Sequence, residues 1–251
     1  MSCSLEDRVV LITGAGSGIG QMAAQAIARE GAKVVVTDLN VSGGEETVQS
    51  ILDSGGKGIF CKADVTQDGE VEGLIEQIIA TFGRLDGAFN NAGIGQKTFL
   101  MHETPESIFD QVIAVNLKGV FLCMKYELAQ MVQQGHGSIV NTGSLCSVVG
   151  WKEEGVYTAS KHGVLGLTRN AALEYASKGI RVNCVCPGPV LTPLSQYQGN
   201  DPEIIRKMYP IPMERRGTMQ EVAEAIIWLL SDKSSYTTGH ALLVDGGFVS
   251  R

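Results

Sequence analysis

The chain lacks several features, and each absence closes off a class of function. There is no excess of positive charge: 20 Lys and Arg stand against 27 Asp and Glu, a net of -7. A body this acidic repels phosphate backbones rather than collecting them, so nucleic acid is disfavoured as a partner. Long charge-free stretches are rare, and Met131 to Trp151 carries Gln, His, Asn and several Gly, which are costly in hydrocarbon. No membrane span is therefore expected. The opening residues Met-Ser-Cys-Ser-Leu-Glu-Asp-Arg lack a basic segment followed by an apolar core, which gives the expectation of a cytoplasmic protein. The six Cys, at 3, 61, 123, 146, 184 and 186, form no CxxC, and the four His are scattered. Buried reduced thiols and no metal site are expected.

What is present suits one large domain. With 251 residues, 44% hydrophobic and 19% charged, the chain can bury roughly three quarters of its unfolded surface without disulfide or metal staples. The first third repeats one unit, a β-branched apolar run followed by a turn and a segment of helical period. Val9 to Thr13 leads to Ile19 through Glu30, Lys33 to Thr37 to Ser42 through Ser54, and Ile59 to Lys62 to Gly69 through Phe82. Further strands are predicted at Gly87 to Asn90, Ser138 to Thr142, Arg181 to Val185 and Ala241 to Val244, with helices at Glu106 to Gln134, Val156 to Ser177 and Gln220 to Ser231. Strands alternating with helices and no polar linker predict a single doubly wound α/β domain over residues 1–251, with a seven-stranded parallel sheet and helices on both faces. The rhythm breaks at Pro187 to Arg216, which holds most of the seven prolines. A structured insertion of this length reads as a substrate lid, assigned to residues 189–216.

Three groups of residues carry chemistry. Thr13-Gly14-Ala15-Gly16-Ser17-Gly18-Ile19-Gly20 lies between the first strand and the first helix, where glycines let backbone N–H groups approach a pyrophosphate at a helix N-terminus. Asp38 ends the second strand, where a carboxylate would accept hydrogen bonds from the adenosine ribose. A 2'-phosphate there would meet it at close range, at a cost on the order of 4 kcal/mol per unit charge. Neither Ser17 nor Leu39 offers a cation in relief, so NAD is the expected cofactor rather than NADP. Tyr157 and Lys161 are four apart in a helical segment and share a face, where an ammonium would favour the phenolate. Ser144 follows the fifth strand and supplies a hydroxyl that can hold a carbonyl oxygen. The loop, Asp38, Asp64, Asn90, Ser144 and Pro187 each follow the end of a different predicted strand. Ligands of open α/β sheets bind along that edge.

With these residues in place the chain resembles a short-chain dehydrogenase/reductase of the basic, NAD-preferring type, a Rossmann-type family, over essentially its whole length. The resemblance rests on Thr13 to Gly20, Asp64-Val65, Asn90-Asn91-Ala92-Gly93, Asn116, Ser144, Tyr157-x-x-x-Lys161, and Pro187-Gly188 followed by Thr192. It implies that Tyr157 passes the proton, Ser144 orients substrate, Lys161 holds the nicotinamide ribose and lowers the tyrosine pKa, and Asn116 supports a water relay. It also implies a cofactor site made by Gly14, Ser17, Gly18, Ile19, Gly20, Asp38 and Leu39, then Asp64, Val65, Asn91, Ala92 and Gly93, with Tyr157, Lys161, Pro187, Gly188, Val190 and Thr192 around the nicotinamide. The expected activity is hydride transfer between NAD and a neutral, largely apolar secondary alcohol or ketone, in a homo-oligomer that the family makes a tetramer. Two rivals stand beside it. One is a 3-oxoacyl-[acyl-carrier-protein] reductase, against which Asp38 argues. The other is a nucleotide-sensing protein without catalysis on the same scaffold.

Overall fold

The computed structural model describes residues 4–192, 203 and 210–250. The β-branched runs form β1 Val9–Thr13, β2 Lys33–Asp38, β3 Lys57–Lys62, β4 Gly87–Asn90, β5 Gly137–Thr142, β6 Ile180–Pro187 and β7 Ala241–Val244. Between them run α1 Gly18–Arg29, α2 Val41–Asp53, α3 Asp68–Phe82, α4 Glu106–Ile113, α5 Val120–Gln134, α6 Gly155–Tyr175 and α7 Met219–Leu230. All seven strands pair in parallel, in the order β3-β2-β1-β4-β5-β6-β7.

The uninterrupted apolar strands follow from being covered twice. Every residue of β1 is buried, as a parallel strand between two helical layers requires. Val10 and Ile12 pack with Ala23, Ile27, Ile51 and Val222 from α1, α2 and α7. Their neighbours Val9 and Leu11 point the other way, toward Leu74, Ile78, Leu128, Met131 and Val164 from α3, α5 and α6. Burying one such side chain stabilises by about 1.5–3 kcal/mol, against about 0–1 kcal/mol for an exposed ion pair. The two apolar layers therefore hold the register. Connections from β1 and from β4 run to opposite sides of the sheet, which opens a crevice at their carboxyl ends.

One feature differs from the sequence expectation, and a second lies largely outside the described residues. The long helix from Glu106 to Gln134 is continuous but not uniformly α-helical, because Ala114–Gly119 winds as a π-helical turn. Gly119 presses on Val65, where a Cβ would stand 2.9 Å from Val65 Cγ2, and Asn116 is turned fully inward. This rod is also the stretch among the described residues long and apolar enough to cross a membrane, at 29 residues and a mean hydropathy of 1.4. A search for uncharged runs passes over it. In the fold it packs on β4, β5 and α6. The second feature is the insertion. Leu194, Tyr197, Met208, Tyr209 and the Gly199-Asn200-Asp201-Pro202 turn lie outside the described residues. Its flanks are joined: the Gly217 N–H donates to the Pro189 carbonyl and the Leu191 N–H to the Gly217 carbonyl, both at 3.0 Å.

Candidate active site

The turn from β1 into α1 is where glycine is obligatory. Gly14 and Gly18 have φ of 63° and 61°. A Cβ on Gly14 would stand 2.7 Å from Ala92 Cα, and one on Gly20 2.2 Å from the Gly14 carbonyl oxygen. Neither can gain a side chain without moving main chain. Ser17 is the N-cap of α1, yet its side chain makes no cap bond, so the first-turn N–H groups and the positive end of the helix dipole are left for a ligand. A bare backbone cradle of this kind fits a pyrophosphate.

Asp38 serves this loop directly. Its Oδ2 accepts from the Gly16 N–H and its Oδ1 from the Asn40 N–H, both at 2.8 Å. It braces the glycine turn against the start of α2, and each oxygen keeps lone-pair capacity for a ribose hydroxyl. Leu39 beside it is 58% exposed. Asp64 Oδ1 accepts from the Thr66 N–H at 2.9 Å and the Thr66 hydroxyl at 2.8 Å, which turns the chain so that Val65 packs against α5.

On the other side of β1, Thr13 Oγ1 accepts from the N–H groups of Asn91 and Ala92 at 3.0 and 3.1 Å. Asn91 Nδ2 donates to the carbonyls of Thr13 and Gly14 at 3.1 and 3.0 Å. The Asn91-Ala92-Gly93 turn is thus locked to the glycine loop. Asn116 reaches the same turn from the π-helical segment. Its Oδ1 accepts from the Ile94 N–H at 2.8 Å, while Nδ2 donates to the Ile94 carbonyl at 2.9 Å and lies 3.5 Å from Ser160 Oγ.

Ser144 begins a 3-10 turn, Leu145–Ser147, in which its hydroxyl accepts from the Cys146 N–H and its own N–H donates to Ser147 Oγ, both at 3.1 Å. That exchange fixes the direction of the Ser144 side chain. Tyr157 and Lys161 lie one turn apart on α6, as their spacing predicts. Lys161 is 4% exposed; its Nζ donates to the Thr142 carbonyl at 2.8 Å and stands 5.6 Å from the centroid of the Tyr157 ring. Burial lowers the Lys161 ammonium to about 8. Burial likewise pushes the Tyr157 phenol well above its ordinary value, Cys146 and the Glu154 carboxylate add to the rise, and the Ser144 hydroxyl opposes it. Lys161 does not figure among these influences, contrary to the expectation from the spacing. Its charge is held by a main-chain carbonyl and lies against the ring. The edge is completed by Gly188, whose N–H donates to the Val244 carbonyl at 3.0 Å, and by Val190, bridged to Gly217. Pro187 closes β6, and Thr192 lies near the start of the insertion.

Sequence reasoning missed Gln96 and, beyond Cys146 and Trp151, most of an apolar wall. Gln96 accepts the Tyr157 N–H on its Oε1 at 2.7 Å and donates from Nε2 to the Glu153 carbonyl at 3.1 Å. It caps α6 from another loop, while the N-cap residue Glu154 makes no such bond. Its only sequence signal is its place three residues after the Asn-Ala-Gly turn. The other part is an apolar wall of Leu145, Cys146, Val149, Trp151, Ile211, Phe248 and Val249 packed around Tyr157, with the Trp151 and Phe248 rings 5.7 Å apart. The residues after β7 carry no periodicity that assigns them to the site. Cys146 is buried and its thiol pushed up by burial, which argues against a nucleophile. The five described cysteines are all buried and free.

A family model described as enoyl-(acyl carrier protein) reductase matches residues 14–249. Among curated proteins, a 2,5-dichloro-2,5-cyclohexadiene-1,4-diol dehydrogenase of Sphingobium indicum is 43% identical over 249 residues, covering 98% of each chain. A cyclohexanol dehydrogenase of an Acinetobacter species is 42% identical over 252 residues, covering all of this chain and 98% of its own. Among solved structures, levodione reductase superposes with a TM-score of 0.90 at 37% identity, covering 97% of this chain and 98% of its own.

Proposed function

The chain belongs to the short-chain dehydrogenase/reductase family, and from that premise we propose that it interconverts a neutral secondary alcohol and its ketone with NAD(H), its preferred substrates being cyclic. The observation that carries the reading is the convergence of Ser144, Tyr157 and Lys161 beside a side-chain-free cradle at the carboxyl ends of the strands. The Gly14 to Gly20 loop would hold the pyrophosphate, Asp38 the adenosine ribose and Lys161 the nicotinamide ribose. Asp64, Val65 and the Asn91 to Gly93 turn would line the remainder, with Pro187 to Thr192 beside the nicotinamide. The cofactor, when bound, supplies the hydride chemistry.

The protein's part is proton management and orientation. Tyr157 delivers a proton to the ketone oxygen in reduction and removes it from the hydroxyl in oxidation. Ser144 holds the same oxygen, and Lys161 stands against the phenol ring with its ammonium on the Thr142 carbonyl. Asn116, bonded to Ile94 and next to Ser160, ties the cofactor turn to the helix that carries Tyr157. The wall from Leu145 to Val249 suits an apolar ring, and the names of the relatives point the same way. The test is an assay of cyclohexanol, a cyclohexanediol, short acyclic alcohols and anionic hydroxy acids with NAD and with NADP. The highest kcat/KM should fall to a neutral cyclic alcohol with NAD. A preference for NADP or for anionic substrates overturns the reading.

An oligomer has separate support. Phe121 and Phe109 are 49% and 50% exposed on the α4–α5 rod, beside a shallow apolar groove lined by Ile113, Leu117, Gly163, Gly166 and Leu167. Large exposed apolar surface of this kind suits a second copy of the chain. Light scattering of Phe121→Asp should show a smaller assembly than the wild type.

A further inference from the structure

Glu127 has no part in the chemistry above, yet it is fully buried, at 0% exposure, in the middle of α5. Its Oε2 accepts from Asn90 Nδ2 at 3.0 Å. Asn90 Nδ2 also donates to Asn141 Oδ1 at 3.0 Å, and Asn141 Nδ2 to Thr168 Oγ1 at 2.9 Å. A polar seam thus crosses the core from α5 through β4 and β5 to α6. It has two defects: Glu127 Oε1 and Asn90 Oδ1 are both buried without a partner. These are two acceptors on the two members of a single hydrogen-bonded pair, and no donor lies between them. An ionised carboxylate here would have one hydrogen bond for two oxygens in an apolar core, which is heavily penalised. One proton removes both defects.

We propose that Glu127 is a neutral carboxylic acid in the folded protein and donates its O–H to Asn90 Oδ1, closing a two-bond acid–amide ring that makes it a positioning residue for the cofactor turn. Asn90 is the last residue of β4, and Asn91, next in the chain, is the residue locked to the glycine loop. The ring fixes the end of β4 from below while Thr13 and Asn91 fix the turn from above. This second part rests on the nucleotide-binding reading; the protonation does not.

The surroundings support a neutral acid. Burial raises Glu127 to about 8, opposed only by the Asn90 bond. On its own helix Cys123 is buried with its thiol pushed up by burial; Lys125 and Tyr126 are turned to Asp68 at the surface. On α3, Asp68, Glu70, Glu72 and Glu76 are exposed. On α6, His162, Arg169 and Glu174 are exposed, and Lys161 is held by Thr142. At the far end of β4, Asp86 is paired with Arg84 and His136. Among the described residues, no cation is placed to stabilise a Glu127 carboxylate.

The sign of the pH effect follows. In the unfolded chain Glu127 releases its proton near 4.5, and in the folded chain near 8. The folded state binds the extra proton between these values, so this group's contribution to stability is full below about 4.5 and is lost as pH rises to about 8. Glu127→Gln keeps the ring with an amide at every pH. Its unfolding constant should therefore fall relative to wild type by about tenfold per pH unit across that window and stay level above it. Infrared difference spectra of wild type against Glu127→Gln at pH 6 should show a protonated carboxyl band. Parallel pH–stability curves, or only a carboxylate band, overturn the protonation, whether or not NAD binds. For the positioning role, Glu127→Leu should raise the Kd for NADH, read by fluorescence titration, by roughly fivefold, the worth of about one hydrogen bond. It should also raise KM for NAD more than it lowers kcat, and Glu127→Gln should restore both constants. Unchanged NADH affinity in Glu127→Leu, or no rescue by Gln, overturns the positioning role. Absence of NADH binding by the wild type overturns the proposed function instead.

Discussion

The two sides of the strand-end crevice are made of different material. Around β1, β2 and β3 the surface offered to a ligand is main chain: glycines at 14, 16, 18 and 20 with no room for a Cβ at two of them, and a helix start without a side-chain cap. Around β5, β6 and β7 it is side chains: the Ser144 hydroxyl, the Tyr157 phenol, the Lys161 ammonium and an apolar wall that draws on three separate segments. Main chain recognises what is common to all dinucleotides. Side chains discriminate among substrates and move protons. Substitutions should therefore affect the two sides differently.

Tyr157→Phe keeps the ring and removes the proton. It should lower kcat by a hundredfold or more, the usual scale of acid–base catalysis, while the Kd for NADH stays near that of the wild type. Retention of a tenth of kcat would break the division of labour.

Asp38 is the exception on the main-chain side, a side chain that both braces the loop and carries charge. Asp38→Asn removes the charge and leaves an acceptor for one of the two N–H groups. The ratio of kcat/KM for NAD over NADP should fall by on the order of tenfold or more, given repulsion of several kcal/mol near the surface. An unchanged ratio would make Asp38 a brace alone.

Trp151→Ala opens the apolar wall where it meets Phe248. KM for a cyclic ketone should rise by roughly tenfold, with that for acetone nearly constant, because only the larger ring loses the buried contact. Equal changes for both would place the wall outside the substrate's reach.

Glu154→Gln gives the smallest effect. The carboxylate is among the influences that push the Tyr157 phenol up, so its removal should move the pH–kcat profile for alcohol oxidation to lower pH. A shift in the opposite direction would show that Glu154 acts on the phenol other than by its charge.

The main-chain side was the more legible in sequence, for a physical reason. Glycine spacing, a β-branched run before it and an acid at the next strand end are local patterns, and local patterns survive in one dimension. The triad was legible because Tyr157 and Lys161 are one helical turn apart and Ser144 follows a strand. What stayed hidden depends on contacts distant in sequence. Gln96 meets Tyr157 across 61 residues, and Phe248 meets Trp151 across nearly a hundred. The π-helical turn at Ala114–Gly119 has no composition of its own. The direction of the Tyr157 pKa was misjudged because spacing reports proximity to Lys161 but not desolvation, the larger influence in this core.

The joined flanks of the insertion bear on how such a protein can be altered. Because Pro189, Leu191 and Gly217 are tied by main-chain bonds, the two flanks of the insertion are held to each other directly. Loop-closure entropy grows only logarithmically, so doubling the length of a flexible segment costs about 0.6 kcal/mol. Exchanges confined to residues 193–209 should thus leave the clamp closed, whereas Ile211 and Arg216, both buried in the scaffold, have to be kept. The clamp marks where a graft can begin, and the buried Ile211 and Arg216 mark what it must leave in place.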